Sequence, residues 1–300
     1  TYTTTQINRD FRIKVDVSQN YSMHEDFYYK YLSDYGAVSG PLSYTMGGNY
    51  TTTAWAFSTA FADPDRLFLQ FLDNRSLVAQ RLALANPDPY NDQVILDSIS
   101  GIPFPAGYSG NSQTVLLTSF LATYLGKDPD NFHFSPFLPL PLPNWNVNYN
   151  GLSKIPFFKQ WFSNITLTHK YACTYSINNF YSHPALSALH DYDYGLESAL
   201  NSSGDYIPPL SMDAILISEQ FNPLLRISLN MLNSFQFNFS LQKNRNLLLS
   251  FSNNQLTETT RDGITFGAGY RFKDVAFSLK VGSMPLNVKS DIVLQLNITY

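Results

Sequence analysis

The chain has 300 residues, enough for one large β domain or two ordinary ones with a sizeable core. Only 14% of it is charged, against roughly a quarter in a typical soluble domain, while aromatics reach 15%, with 23 Phe and 20 Tyr; the pairing suits an apolar outer wall, an uncharged wet inner wall and aromatic girdles at two interfaces. A formal charge of -4 with no basic block argues against a nucleic-acid partner, the single Cys173 rules out an intrachain disulfide, and no run of 18 apolar residues is present to form a membrane helix.

Neither a signal peptide nor an initiator Met opens the chain, and a start at Thr1 is expected of a processed chain or a fragment. Ile7, Arg9, Phe11, Ile13, Val15 and Val17 share one parity, with Asn8, Asp10, Arg12, Lys14, Asp16 and Ser18 on the other. Successive strand side chains point to opposite faces, so this predicts one strand with an apolar and a wet face. Tyr21 to Tyr35 reads as an aromatic strand end with a loop closing near Gly36. Leu42, Tyr44, Met46 and Gly48 then alternate with small polar residues. The parity changes at Gly47-Gly48, where a bulge or turn re-aims the strand before Thr51, Thr53, Trp55, Phe57, Thr59 and Phe61.

At Asp63 the period switches to helical. Asp63 is a capping residue with Pro64 at the first helical position, and Leu67, Phe68, Phe71, Leu72, Val78 and Leu82 recur at helical spacing until Asn86-Pro87. A second helix fits Gln113 to Leu125, with Gly126 and Pro129 as stop signals. The stretch from Asp63 to Pro143 is therefore predicted to be an insertion outside any membrane layer, leaving through the stiff Pro-rich segment 135–143. Its helices are too short to span, and Phe68, Leu72, Phe120 and Tyr124 are expected to pack on each other, on a barrel rim or on a partner.

Residues 1–62 and 144–300 are the predicted strand regions. Trp145, Val147 and Tyr149 alternate with asparagines, and Ile165, Leu167, His169, Tyr171, Cys173, Tyr175 and Ile177 alternate with small polar residues before a long polar loop near 178–211. Phe235 to Phe251 keeps one parity throughout, with Lys243 and Arg245 in its middle. A turn has no reason to preserve parity, so one long strand is predicted over two short ones. Thr260-Arg261-Asp262-Gly263 supplies turn chemistry before Ile264, Phe266, Ala268, Tyr270 and Phe272, predicting a hairpin there. From Leu286 the even positions are mostly apolar and the odd ones mostly polar through Thr299.

Candidate chemistry is sparse. Gly107-Tyr-Ser-Gly-Asn111 lacks the last Gly of a nucleophile elbow and no strand precedes it. His183, His190, Asp191 and Asp193 could gather a metal, yet nothing fixes their spacing. Asp128-Pro-Asp-Asn131 lacks the Gly and distal Glu of a calcium loop and reads as a helix-exit turn. His169 is expected in an aromatic girdle or packed, and Cys173 as a small buried or lipid-facing hydrophobe. No catalytic, cofactor or metal constellation is assigned, and the protein is not expected to be an enzyme.

Four segments carry a resemblance. They are Pro141-Leu-Pro-Asn-Trp-Asn-Val-Asn-Tyr-Asn-Gly-Leu-Ser-Lys-Ile-Pro-Phe-Phe158, Ile217-Ser-Glu-Gln-Phe-Asn-Pro223, Asn244-Arg-Asn-Leu-Leu-Leu-Ser-Phe-Ser-Asn-Asn-Gln-Leu-Thr-Glu258 and Gly267-Ala-Gly-Tyr-Arg-Phe-Lys-Asp274. Together with the placement of the helix at Leu67 to Leu82, they resemble the C-terminal region of the SprA/Sov family, the outer-membrane translocon of the Bacteroidetes type IX secretion system. The resemblance spans most of the chain and is looser at Asn86 to Gly110 and Asn178 to Ser211. It implies part of a giant single-chain outer-membrane β-barrel that conducts folded proteins. The partners it implies are cargo with a C-terminal secretion domain, a plug protein on the periplasmic side and a smaller barrel at a lateral opening.

The fold expected is all-β, an antiparallel transmembrane β-barrel segment with a small helical and loop insertion. Ile165, Leu167, Phe266, Phe272, Leu294 and Leu296 are expected to face lipid or packed protein, and Asn146, Asn148, Thr166, Gln295 and Asn297 the lumen. Two other readings stay open at this point. One is a small-molecule, porin-like barrel, for which the aromatic last residue Tyr300 resembles an assembly signal; the other is a soluble β-rich carbohydrate-binding or surface protein.

Overall fold

The structure, a computed structural model, describes residues 2–28, 43–86, 93–96, 101–182, 199–281 and 284–300. The chain is mostly β, and its strands pair antiparallel. In chain order the elements are β1 (Tyr2–Asn8), β2 (Phe11–Asp16), β3 (Gln19–Tyr28), β4 (Ser43–Thr53), α1 (Pro64–Ala85), β5 (Val94–Leu96), β6 (Pro103–Pro105), α2 (Gln113–Tyr124) and β7 (Asn144–Tyr149). They continue with α3 (Pro156–Lys159), β8 (Phe162–Ser182), β9 (Leu210–Met231), β10 (Phe235–Ser250), β11 (Gln255–Val281) and β12 (Met284–Thr299). A 10-stranded sheet takes all of the strands except β5 and β6, which form a small hairpin of their own.

The sheet runs β1-β2-β7-β8-β9-β10-β11-β12, with β3 and β4 beside the far half of β8. β8 pairs with β7 through Leu167–Tyr171 and with β4 through Thr174–Tyr181. β2 and β3 likewise follow one another with only Val17-Ser18 between them, opposite β7 and β4 respectively. β4 and β7 are thus two halves of one line of strand, interrupted by residues 54–143. The two ends of the interruption are tied. Leu142 donates its N–H to the Thr53 carbonyl at 2.9 Å, and Thr53 donates to Ser18 at 2.9 Å.

The interruption folds over the apolar face of the sheet's far half. Asp63 caps α1 by accepting from the Asp65 N–H at 3.0 Å, with Pro64 at the first position, which satisfies a donor that the helix start would otherwise leave orphaned. Leu67 and Phe71 of α1 and Leu116, Leu117, Phe120 and Leu121 of α2 share one buried cluster with Tyr171, Cys173, Tyr175 and Ile177 of β8, Ile215, Ile217 and Phe221 of β9, and Leu247 and Leu249 of β10. Each such side chain is worth about 1.5–3 kcal/mol when removed from water. α2 is buried on every side, from Thr114 to Tyr124, as expected of a helix apolar all round. At its end Gly126 turns at φ +62°, and a Cβ there would run into the Ser58 hydroxyl.

One polar cluster lies inside this cover. Arg245 of β10 pairs with Glu219 of β9 at 3.0 Å, with side chains only 3% and 1% exposed. The Arg245 guanidinium also donates to the Thr59 carbonyl and hydroxyl, each at 2.8 Å. Tyr171 donates to Glu219 at 2.8 Å and accepts from the Ala56 N–H at 3.0 Å, while the Thr59 hydroxyl donates to the Tyr124 carbonyl at 2.9 Å. Three strands, the start of the interruption and the end of α2 therefore meet at one ion pair.

Three local expectations are corrected. Ile7 to Val17 is two strands, because the chain reverses at Arg9-Asp10, where the Asp10 carbonyl accepts from Asn150 at 2.8 Å and its carboxylate pairs with Lys154 at 2.6 Å. Trp55 to Phe61 does not continue β4: the backbone leaves the sheet after Thr53 and makes a short 3-10 turn at Phe57–Thr59, held by Tyr171 and Arg245. Thr260-Arg-Asp-Gly263 is not a turn, since β11 runs unbroken through it and the reversal falls at 251–254. The turn chemistry is overridden by cross-strand partners, with Asp262 opposite Lys243 and their side chains 3.3 Å apart. β10 is one strand, as its parity predicts.

Removing one member of the buried pair strands the other charge, a loss of about 3–5 kcal/mol. Arg245→Met is therefore expected to lower the unfolding midpoint in urea and expose 54–143 to protease. Arg245→Met combined with Glu219→Leu should recover most of that loss; equal destabilisation of single and double variants would count against the pair as the tie.

Candidate membrane-facing band and polar wall

Residues directly opposite one another in paired strands share a face, so the register sorts every side chain. One row reads Phe11, Tyr149, Leu167, Ile227, Phe239, Phe266, Ile298 across β2, β7, β8, β9, β10, β11 and β12. Its neighbour reads Ile165, Leu229, Phe237, Ala268, Leu296, and the next reads Phe235, Tyr270, Leu294. All six residues expected to face lipid or packed protein lie on this apolar face. The cover formed by 54–143 does not reach these rows: Phe266 is 48% exposed, Leu294 61% and Leu296 67%. Leu167 is half-buried, and Ile165 is buried beside Leu229.

This bare band is bounded at both ends by aromatic side chains. Toward the cover stand Trp55, Phe57, Phe61, Trp145 and Phe221, with Phe57 5.8 Å from Phe221, Trp55 6.0 Å from Trp145, and the Lys243 ammonium 5.7 Å from the Phe61 ring. His169 belongs to this rim, 6.3 Å from Trp145, with its Nδ1 2.6 Å from the Leu224 carbonyl. At the other end Phe157 and Trp161 project from the β7–β8 connection, and Phe235, Tyr270 and Phe272 cluster at centroid separations of 4.8 Å. Between the rims β11 runs from Ile264 to Phe272, about nine residues or roughly 30 Å at a strand rise of about 3.3 Å.

The opposite face is polar. Asn146 and Asn148, Thr166, Gln295 and Asn297 all lie on it, and its side chains bond to one another along and across strands. Asn148 donates to Asn146 at 3.2 Å, Thr168 to Asn148 at 2.9 Å, Asn164 to Thr166 at 3.1 Å and Gln295 to Asn297 at 2.9 Å. The expectation of an uncharged wall needs correction. Arg12, Lys14, Lys170, Arg226 and Arg261 all fall on this face and are exposed. Arg12 and Lys14 are neighbours on one face of β2, and the register brings Lys170, Arg226 and Arg261 onto that same face.

Other sequence candidates resolve locally. Ser109 of the Gly107–Asn111 segment donates its hydroxyl to Asp205 at 2.8 Å and its N–H to the same carboxylate at 2.7 Å, so that segment is a loop clamp. The pair edges a polar cavity of about 590 Å³ that also involves Asn111, Gln113, Asn201 and Ser203. Burial pushes the Asp205 carboxyl above its ordinary range, and the two Ser109 bonds offset part of that. Asp128 closes a helix-exit turn by accepting from the Asp130 N–H at 3.0 Å and the Asn131 side chain at 2.8 Å. Cys173 is fully buried beneath the cover. His183, His190, Asp191 and Asp193 lie outside the described residues.

Compared with known proteins, the chain matches no family model and no curated protein.

Proposed function

We propose that this chain is a stretch of wall from an outer-membrane β-barrel and that the barrel conducts proteins. The observation that carries the membrane reading is the bare apolar band, about nine residues tall from Ile264 to the Phe272 rim, backed by a hydrogen-bonding polar face. A tilted strand needs about 9–11 residues to cross a bilayer, and barrel walls in outer membranes alternate apolar-out and polar-in between aromatic girdles. A soluble sandwich would have to cover Phe266, Leu294 and Leu296 with a second sheet. Protein cargo, a plug and a lateral barrel partner rest on the likeness to the SprA/Sov translocons. No energy-supplying site is part of this reading, so a large passage of this kind needs its plug to keep the membrane sealed.

The end of the sheet that carries 54–143 also carries the connection between β8 and β9; at the other end the β1–β2 and β9–β10 turns are only two and three residues and the β7–β8 connection is twelve. Outer-membrane barrels keep short turns on the periplasmic side. Residues 54–143 accordingly stand outside the cell, against the outer surface of the wall just above the lipid.

Two outcomes are expected in intact cells. With a bulky aqueous thiol reagent and Cys173 replaced by Ala, Asn297→Cys reacts and Leu296→Cys is protected, and Leu84→Cys on α1 labels from outside while Leu232→Cys requires a permeabilised outer membrane. Leu296→Arg should cost about 2–4 kcal/mol of barrel stability and Asn297→Arg much less. Equal labelling of positions 296 and 297 would end the band assignment.

Deleting the whole protein should strand cargo bearing a C-terminal secretion domain in the periplasm while small-solute uptake stays normal. Normal secretion with defective uptake would replace this reading by a porin-like one.

A further inference from the structure

We infer that the polar wall carries a docking strip for acidic stretches of polypeptide. The cations that define it come from four strands, with Arg12 and Lys14 sharing β2. Arg12, Asn148, Thr168 and Arg226 form one row across β2, β7, β8 and β9, and Lys14, Asn146 and Lys170 form the next. Arg261 stands farther along β11, opposite Asn244. The acid that the register places on this part of the face is Asp16, opposite Asn144 and on the far side of the strip from Arg261. The described ion pairs of the sheet, Lys243–Asp262 and Arg245 with Glu219 and Glu258, all lie on the other face. None of them neutralises Arg12, Lys170, Arg226 or Arg261. A chain with net charge -4 thus turns a locally positive surface to the polar side.

Spacing and neighbours choose the occupant. Strands sit about 4.8 Å apart, which puts the Arg12 and Arg226 backbones about 14 Å apart along the sheet. An extended acidic segment can meet several of these cations in turn. Between them lie amide and hydroxyl groups suited to a peptide backbone. Nucleic acid fits less well, because single strands are held by stacking on aromatic side chains, and β2, β7, β8 and β9 present Asn, Ser and Thr beside these cations rather than aromatic rings. All of these cations are exposed and so are screened by salt, with a screening length of about 8 Å at physiological ionic strength. Each contact is therefore weak, and a bound segment can move from one cation to the next.

The strip rests on the register, not on the membrane reading, so the two are tested apart. The purified full chain in detergent is titrated with fluorescein-labelled oligoglutamate, oligolysine and oligothymidylate at low and physiological salt, and flotation with lipid vesicles is measured separately. Oligoglutamate is expected to bind at low salt and oligolysine not at all. The exposed triple variant Arg12→Gln/Lys170→Gln/Arg226→Gln should weaken oligoglutamate binding by about tenfold, as three exposed ion pairs together allow. Asn146→Gln/Asn148→Gln, which leaves the charge unchanged, should bind as well as the parent. An unchanged triple variant, equal binding of oligolysine, or tighter binding of oligothymidylate than of oligoglutamate would each overturn the inference. A protein that binds oligoglutamate but fails to float would keep the strip and remove the membrane reading.

Discussion

An arginine in the middle of an apolar strand face has to be answered by protein, because neither lipid nor a hydrophobic core solvates a guanidinium. In this chain Arg245 is answered three ways at once: by Glu219 on the neighbouring strand, by the Thr59 carbonyl and by the Thr59 hydroxyl. The desolvation of two charges is large, and it is offset only where geometry and further hydrogen bonds are supplied. That demand draws the 56–59 turn down onto the sheet, and with it the start of the excursion. A second tie fixes where the excursion lies along the strands: Tyr171, bonded to Glu219, accepts from the Ala56 N–H.

The same apolar parity consequently serves two environments in one strand. Beyond the ion pair, Leu247 and Leu249 of β10 are buried under α1 and α2; before it, Phe235 stands open. Lys243, with its ammonium near Phe61 and Asp262, marks the changeover. This explains strands that outrun the mean of about five or six residues: part of their length fits the band and the rest is the floor of a protein core. Low overall charge follows, because an apolar face along the length of the strands leaves charge only the polar face, the changeover and the loops.

Much of this was legible in the chain and some was not, for reasons that differ residue by residue. Parity identified β10 as a single strand through Lys243 and Arg245, since alternation is a local property that turns destroy. The start of α1 was equally legible, because Asp63 and Pro64 act within one helical turn. The same parity was misleading at Ile7 to Val17, where a two-residue reversal at Arg9-Asp10 keeps the pattern intact while flipping direction. At Thr260 to Gly263 turn-forming residues were outvoted by partners on β10, which sequence spacing does not reveal. Trp55 to Phe61 alternates like a strand but is peeled away by contacts with residues far along the chain. The cations of the polar face were hidden for a related reason: Arg12, Lys170 and Arg226 become neighbours only once three strand pairings are known.

The hydrogen bond from Leu142 to Thr53 has a consequence for how such a wall can change over time. Because the two ends of the excursion meet within one peptide's width, β4 and β7 would remain in line whatever length of chain is spliced between them. The splice is permissive, but the surface beneath it is not. Any replacement must still bring a carbonyl to Arg245, a donor to Tyr171 and enough apolar area to seal Ile215, Ile217, Leu247 and Leu249. The wall can therefore exchange one module for another of different shape, but losing the module outright would leave a charged, greasy scar on the apolar face of the sheet.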